Sequence, residues 1–121
     1  MDELTIRRGD IWWCDLGPVL DSGPAGRRPV AVLSNNPLCR SALRTVVVAG
    51  LTTNVNRKAL RSNVFVPADT VGLACDSVIL LTNLFTADKA RLTSKAGRLP
   101  KAIVSEVNRS LRHVLDLDDE R

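Results

Sequence analysis

The sequence has few aromatic residues: two tryptophans, two phenylalanines and no tyrosine among 121 residues. A hydrophobic fraction of 45% nevertheless argues against a disordered chain. The core must therefore be built from aliphatic side chains. The length suits one domain, and we expect a single domain over residues 1–121. Its core should span about residues 7–116, followed by an acidic tail at residues 116–121.

Histidine is scarcer still, because His113 is the only one. Its position beside an apolar helical stripe predicts a surface location. A ribonuclease that uses two imidazoles is excluded, since that acid–base mechanism needs two histidines. The sequence also lacks GxSxG, HExxH, P-loop and GxGxxG motifs. Acidic pairs such as Asp10 with Asp15 show no metal-site spacing. We therefore expect neither a metal nor another cofactor.

Cysteine is too sparse for a disulfide framework or a zinc site. The three cysteines, Cys14, Cys39 and Cys75, are widely spaced, and no CxxC motif occurs. This usage favours a reducing compartment. No apolar run approaches the roughly 20 residues that cross a bilayer, and the first residues lack a signal-type apolar segment. We expect a cytoplasmic protein with no membrane partner.

Positive charge is in modest excess, with 17 Lys and Arg against 13 Asp and Glu and a net charge of +4. Four of the acids lie in the tail, so the body is more basic than the total: Asp116, Asp118, Asp119 and Glu120. A basic body suits a polyanionic partner through phosphate contacts. An ordinary soluble surface is equally compatible with this charge, because nucleic-acid binding requires a clustered patch.

Hydrophobic periodicity predicts a mainly β protein with one C-terminal helix, an α+β class. Residues 17–26 and 54–62 are loops by composition. Asn36 is a candidate cap for a short helix with Pro37 at its first position. Ile103, Val107 and further apolar residues at helical spacing predict a helix over residues 100–115. Predicted strands cover residues 10–16, 29–34, 45–53, 63–67, 77–84 and 92–99, the last interrupted at Gly97.

Many short strands and one closing helix indicate a strongly bent antiparallel sheet or a small barrel. In the first strand, Ile11 and Trp13 point to one face, and Trp12 and Cys14 point to the other. Apolar side chains on both faces predict that this strand is buried on two sides.

Arginines and hydroxyls are the remaining candidates for chemistry. Arg28 enters a buried strand, and Pro29 holds it in an extended conformation. A guanidinium anchored there would be always charged and shaped to bind a phosphate in a bidentate manner. Thr52 and Thr53 end an apolar strand, where binding groups commonly lie. Two simpler interpretations stay open: a surface salt bridge for Arg28, and a hydroxyl that bonds its own backbone for Thr52.

Short motifs spread along the chain carry a family resemblance. They are RGDIWW at residues 8–13, DLGP at 15–18, RPV at 28–30, LSN at 33–35, LTTN at 51–54, DSV at 76–78, TxDKxRL at 86–92 and GRL at 97–99. In this order the chain resembles the MazF/PemK toxins of type II toxin–antitoxin systems over about residues 7–116. The resemblance implies a compact SH3-like, PemK/CcdB-type antiparallel β-barrel that works as a homodimer.

The resemblance also implies an endoribonuclease that cleaves single-stranded RNA sequence-selectively and without a metal, through attack by the 2′-OH. The family's catalytic arginine falls on Arg28 and its catalytic threonine on Thr52. Its RNA-binding loop serine falls on Ser22, and a family glutamine falls on Asn83, which is a departure. The implied partners are single-stranded RNA, a cognate antitoxin and a second copy of the chain. We expect the RNA-binding side chains to be Ser22, Arg27, Thr53, Asn54, Arg57, Lys58 and Asn83.

Two other functions are alternatives. One is a non-catalytic toxin that binds a protein target such as gyrase, as the CcdB toxins of similar fold do. The other is a small β-barrel that only binds nucleic acid. The pairing of Arg28 with Thr52 and the basic segment around Arg57 and Lys58 favour the ribonuclease.

Overall fold

The computed structural model describes residues 5–18 and 26–118. Ser22 and most of the predicted loop at 17–26 lie outside the described residues. Two 3₁₀ helices cover Val55–Ala59 and Lys89–Arg91. The remaining elements are β1 (Asp10–Asp15), β2 (Arg27–Val32), α1 (Asn36–Arg40), β3 (Thr45–Thr52), β4 (Val64–Val66), α2 (Ala68–Val71), β5 (Ser77–Asp88), β6 (Leu92–Arg98) and α3 (Lys101–Val114).

The strands form one six-stranded sheet in the order β4-β5-β3-β2-β1-β6. Every pairing between described strands is antiparallel. The sheet curls into a half-barrel, and α3 packs against β4 and β5. The predicted class, a bent antiparallel sheet with one C-terminal helix, is confirmed. Among the described residues, no helix is long and apolar enough to cross a membrane.

The two faces of the sheet bury different sets of side chains. The face under α3, which we call the helix face, packs Ile103 and Val107 of α3 against strand residues such as Ile79. The opposite face, which we call the open face, buries Trp12, Cys14, Val30, Val32, Val46, Val48, Ala87 and Leu92, with Cys39 from α1. Side chains that alternate along each strand supply both faces.

β1 contributes to both faces, as its sequence predicts. Ile11 lies on the helix face with no exposed surface, while Trp12 and Cys14 are buried on the open face. Trp13 is only half-buried. The prediction of a strand buried on two sides is confirmed for the other three residues.

Several predicted boundaries are wrong. The cap of α1 is Asn35, whose side chain accepts a hydrogen bond from the N–H of Leu38. Asn36 instead accepts from the N–H of Arg8 at 2.8 Å, which ties α1 to the start of the sheet. The predicted interruption of β6 at Gly97 is also wrong, since β6 runs through this residue to Arg98 with a register shift beside it.

Gly97 is required by close packing between α2 and β6. A Cβ at this position would lie 1.9 Å from the carbonyl oxygen of Val71. α2 was not predicted, because four residues are too few to show helical periodicity. It bridges the two edges of the sheet, and only a glycine in β6 leaves room for it.

A buried carboxylate, that of Asp10, lies at the start of β1. Asp10 has no exposed surface and forms ion pairs with Arg98 at 2.8 Å and Lys95 at 3.4 Å. It also accepts hydrogen bonds from the N–H of Arg7 and from Nε1 of Trp12. Buried charges are stable when paired and hydrogen-bonded in this way. Asp10 is therefore a structural residue that joins β1 to β6.

Candidate active site

A cleft of about 510 Å³ opens on the open face where β2, β3 and β5 meet. Arg28, Thr52 and Asn83 line it together, so the structure brings both predicted catalytic residues and one predicted RNA-binding residue to one place. Arg28 is exposed and Thr52 is half-buried. A permanently charged guanidinium and a hydroxyl thus share a solvent-accessible cleft.

The antiparallel register of β2 and β3 explains why Arg28 and Thr52 meet. The two strands pair Val30 with Gly50. Arg28 lies two residues before Val30 and Thr52 lies two residues after Gly50, which is the same direction in an antiparallel pair, so both side chains point to the same face. Their separation in sequence conceals this pairing, which follows once the register is known.

A bulge in β5 brings Asn83 to the cleft. β3 pairs Ala49 with Leu84 and Leu51 with Ile79, so residues 80–83 of β5 lie opposite the single residue Gly50. Extra residues in one strand bend it away from its partner, and such bulges are common beside active sites. Here Leu80 and Asn83 become part of the cleft wall.

The hydroxyl of Thr52 is held by the backbone. Its Oγ1 accepts a hydrogen bond from the N–H of Asn54 at 3.1 Å. A threonine hydroxyl has one donor and two acceptor sites, so this bond leaves the O–H able to donate into the cleft. The backbone interaction and a catalytic role are therefore compatible, since the first orients the group for the second.

Arg27 does not join the cleft, although it neighbours Arg28 in sequence. Its guanidinium lies 5.0 Å from the centre of the Trp13 ring. It also donates to the hydroxyls of Thr93, at 3.4 Å, and Ser94. Alternation along β2 sends it to the face opposite Arg28. Any contact between Arg27 and RNA would be made outside the cleft.

Four further predicted RNA-binding residues follow β3 and do not line the cleft: Thr53, Asn54, Arg57 and Lys58. Thr53 is exposed. Asn54 caps the 3₁₀ helix Val55–Ala59, with its side chain accepting from the N–H of Asn56 at 3.3 Å. Arg57 and Lys58 are exposed on that helix, and the Lys58 ammonium lies 4.9 Å from the centre of the Phe65 ring. The predicted loop at 54–62 is thus partly helical and presents a basic surface.

Asn63 is a buried polar residue that sequence reasoning missed. Its amide nitrogen donates to the carbonyl of Arg57 at 3.0 Å, and its amide oxygen accepts from the N–H of Leu81 at 3.3 Å. Asn63 is only 8% exposed. One side chain therefore joins the basic 3₁₀ helix to the bulge that carries Asn83. An isolated asparagine between a polar loop and a short strand gives no signal of this role.

The remaining cleft wall is mostly apolar, and its members were also missed. Leu16, Gly50, Leu80 and Phe85 lie among its lining residues. Apolar residues in strands are ordinarily core residues, so their hydrophobicity alone does not mark a site. In a cleft, however, apolar walls lower the local dielectric constant around a bound substrate, and charges act more strongly in such surroundings.

The two buried cysteines, Cys14 and Cys39, are unsuited to nucleophilic catalysis. Burial raises the pKa of the Cys14 thiol, while the nearby Arg91 lowers it and Asp15 raises it. Burial likewise raises the pKa of the Cys39 thiol. Both thiols stay protonated at neutral pH, and the nucleophile in cysteine chemistry is the thiolate. His113 is exposed on α3, as predicted, and lies outside this cleft.

Within residues 5–18 and 26–118, no three His, Cys, Asp or Glu side chains group together as a metal site would require. The prediction that the activity needs no metal stays a prediction, which an assay with a chelator can test.

Comparison with known proteins identifies the family. The family model for PemK-like, MazF-like toxins of type II toxin–antitoxin systems matches residues 7–115. Endoribonuclease MazF6 of Mycobacterium tuberculosis strain H37Rv is 45% identical over 114 residues, which are 94% of this chain and 100% of that protein. Endoribonuclease EndoA of Bacillus subtilis strain 168 is 36% identical over 116 residues, covering 96% of this chain and 99% of EndoA.

A solved structure agrees with these relatives. A mycobacterial endoribonuclease in complex with its cognate antitoxin superposes with a TM-score of 0.73 and 25% identity, covering 93% of this chain and 94% of that one. The match of sequence and fold extends over nearly the whole chain. The chain belongs to the PemK-like, MazF-like toxin family of type II toxin–antitoxin systems.

Proposed function

We propose that the protein is a toxin endoribonuclease that cleaves single-stranded RNA sequence-selectively and without a metal. The observation that carries this proposal is the convergence of Arg28 and Thr52 in one open-face cleft. The names of the relatives MazF6 and EndoA support the same reaction class.

The nucleophile in this mechanism is supplied by the substrate. The 2′-OH attacks the adjacent phosphorus, the bond from phosphorus to the 5′-oxygen breaks, and the products are a 2′,3′-cyclic phosphate and a free 5′-OH. The 2′-OH loses its proton and the leaving 5′-oxygen gains one. Negative charge develops on the phosphate oxygens that do not bridge the two nucleotides, and the enzyme must stabilise it.

Arg28 suits that task, because its guanidinium presents paired donors and is always charged. It acts as an electrostatic stabiliser and not as a base, since a guanidinium keeps its proton and its charge in proteins. Thr52 adds a hydrogen bond from a hydroxyl that the Asn54 N–H already orients. Preorganised donors of this kind are worth about 3–4 kcal/mol each in related oxyanion sites.

The alternative is a toxin that binds a protein target without cleaving RNA. It makes no use of an arginine and a threonine that line the same cleft. The two alternatives differ in one simple outcome, namely strand scission by the purified protein.

We also propose three properties of the assembly and its setting. The working unit is a homodimer in the cytoplasm. A cognate antitoxin inhibits it by placing an acidic segment in the RNA site, because a groove that binds phosphates also attracts carboxylates. The solved complex of a related endoribonuclease with its antitoxin supports this partner.

The test is cleavage of a synthetic single strand in EDTA. We expect scission of the single strand, much slower scission of the same sequence in a duplex, and none when the nucleotide at the cut site is 2′-deoxy. A duplex hides its base edges and resists in-line rotation of the 2′-OH. Binding of the deoxy strand should survive and weaken with salt, at roughly 0.7 counterions released per phosphate contact.

Scission of the deoxy strand would mean that water is the nucleophile and would overturn the mechanism. Complete loss of activity in EDTA, with recovery on adding a divalent ion, would overturn the metal-free assignment.

A further inference from the structure

A second cleft of about 420 Å³ adjoins the active-site cleft on the open face. Leu16 and Phe85 line both clefts. Phe85 therefore lies at the boundary between the space beside Arg28 and Thr52 and the space beyond it. A strand of RNA whose phosphate sits at Arg28 extends from the first cleft towards neighbouring surfaces of this kind.

One side of the Phe85 ring is uncovered because its neighbour Gly50 has no side chain. Phe85 pairs with Val48 across β3 and β5, and it packs on the open-face core. The Cε1 atom of the Phe85 ring lies 3.9 Å from the position that a Cβ atom would occupy at Gly50. Because Gly50 has no side chain, the floor beside the ring stays open. Phe85 remains half-buried, with part of its surface lining the clefts.

The other aromatic side chains of the protein are engaged elsewhere. Trp12 is 2% exposed. The ring of Trp13 faces the Arg27 guanidinium, and the ring of Phe65 faces the Lys58 ammonium. Phe85 is the aromatic residue that lines the site, in a chain where aromatics are only 3% of the sequence.

The second cleft suits a nucleobase better than a phosphate. Asp15 and Asp88 lie in its wall beside Arg91, which donates to the carbonyl of Asp15 at 3.2 Å. Two carboxylates against one guanidinium repel a polyanionic backbone. The carboxylates of Asp15 and Asp88 already accept from the N–H groups of Gly17 and Ala90, and their remaining lone pairs can accept hydrogen bonds from amino groups on a base edge.

We propose that Phe85 is a stacking platform for an unpaired base next to the scissile phosphate, with the edge of that base directed into the second cleft. Sequence-selective proteins read single-stranded RNA by stacking splayed bases on aromatic rings and by bonding to their edges. The inference rests on the proposed function, since it places the base relative to the phosphate at Arg28. Phe85 then sets affinity and motif selectivity, while Arg28 and Thr52 act on the phosphate.

The test uses the full-length protein and a strand whose cut site has been mapped with the wild type. The strand carries 2′-deoxy at the cut site, so that it binds without scission, and 2-aminopurine at each flanking position in turn. Stacking quenches 2-aminopurine, so the wild type should quench it strongly at one position next to the cut. Phe85→Leu keeps the side chain apolar and should remove the quenching and weaken binding about 10-fold.

Two further variants and an altered strand isolate the stacking interaction. Phe85→Trp should restore both quenching and affinity. Phe65→Leu makes the same chemical change outside both clefts and should leave the 2-aminopurine signal unchanged. Replacing the stacked base by an abasic site should weaken binding to the wild type about 10-fold but hardly affect Phe85→Leu, because the interaction is already absent. In cleavage assays KM should rise about 10-fold, with kcat within a few-fold of the wild type.

The outcomes separate this inference from the proposed function. If the wild type cleaves RNA but Phe85→Leu matches it in quenching, affinity and sensitivity to the abasic site, the stacking platform is wrong and the ribonuclease assignment stands. If Phe85→Leu lowers kcat and leaves affinity unchanged, Phe85 positions the catalytic groups and does not stack a base. If the wild type cleaves no RNA, the proposed function fails and the inference fails with it.

Discussion

The two faces of the sheet differ in how completely they are covered. On the helix face, α3 seals an aliphatic cluster, and Ile103 and Val107 are at most 7% exposed. On the open face, burial stops where β2, β3 and β5 meet, and a cleft begins. The same strands supply both faces, because side chains alternate along them.

The difference shows how a chain of 121 residues divides stability from chemistry. Close packing beneath α3 supplies a rigid support. The open face departs from regular packing at Gly50, at the β5 bulge and at the polar strand ends around Thr52. Each departure weakens local packing but makes room for a substrate. Substitutions on the open face should therefore affect cleavage, and those on the helix face should affect folding.

The largest effect expected on the open face is that of Arg28→Ala. Cleavage should fall about 10³-fold, because the charge that stabilises the phosphate is lost. Stability should change by less than about 0.5 kcal/mol, since the side chain is exposed. Single-turnover cleavage and thermal unfolding measure the two quantities. Arg28→Lys should also be impaired, because a point charge does not reproduce the paired donors.

Arg27→Ala provides a matched comparison, since it removes the same charge from the other side of β2. It should weaken RNA binding modestly and change the single-turnover rate far less than Arg28→Ala. Equal losses of rate in the two variants would mean that net charge, and not the geometry of the cleft, determines activity.

On the helix face, Ile103→Ala should reverse this pattern. Removing a buried aliphatic side chain from α3 should lower the free energy of unfolding by about 3 kcal/mol. The rate per folded molecule should stay near the wild-type value, because Ile103 lies under the sheet and away from the cleft. Denaturant unfolding and cleavage below the transition test both statements. A large loss of rate in the folded protein would show that the two faces are coupled.

Thr52→Val tests a smaller effect within the cleft. The substitution keeps the shape and removes the hydroxyl, so cleavage should slow about 10²-fold with little change in stability. An unchanged single-turnover rate would mean that the Thr52 hydroxyl has no catalytic role and serves only to accept the hydrogen bond from the N–H of Asn54.

Asn63 offers the most sensitive test of the division, because it is buried yet linked to the site. Asn63→Ala removes the acceptor for the buried N–H of Leu81, which should cost about 2 kcal/mol of stability. The loss of support for the bulge should also slow cleavage, by less than 10-fold. Asn63→Asp keeps the acceptor but sets a carboxylate oxygen against the carbonyl of Arg57 at a buried position, so it should destabilise the fold at least as much as Asn63→Ala. If Asn63→Ala lowers stability as expected but leaves the rate of cleavage unchanged, Asn63 stabilises the fold and does not support the active site.

The sequence alone determined the elements that depend on local pattern. β-branched runs and period-2 alternation predicted the strands, and the spacing of Ile103 and Val107 predicted α3. Pro29 indicated an extended Arg28, and the ordered short motifs indicated the family. These features rest on side-chain periodicity and on proline stereochemistry, both of which depend only on residues close together in the sequence.

Tertiary structure alone decided how distant residues meet. The register between β2 and β3 placed Arg28 beside Thr52, and the bulge in β5 turned Asn83 into the cleft. The same packing made Asn63 a link between two segments and left Phe85 at the boundary of two clefts. Such outcomes depend on pairing between strands far apart in the chain. One extra residue in a strand reverses which face a side chain occupies, and local composition does not record it.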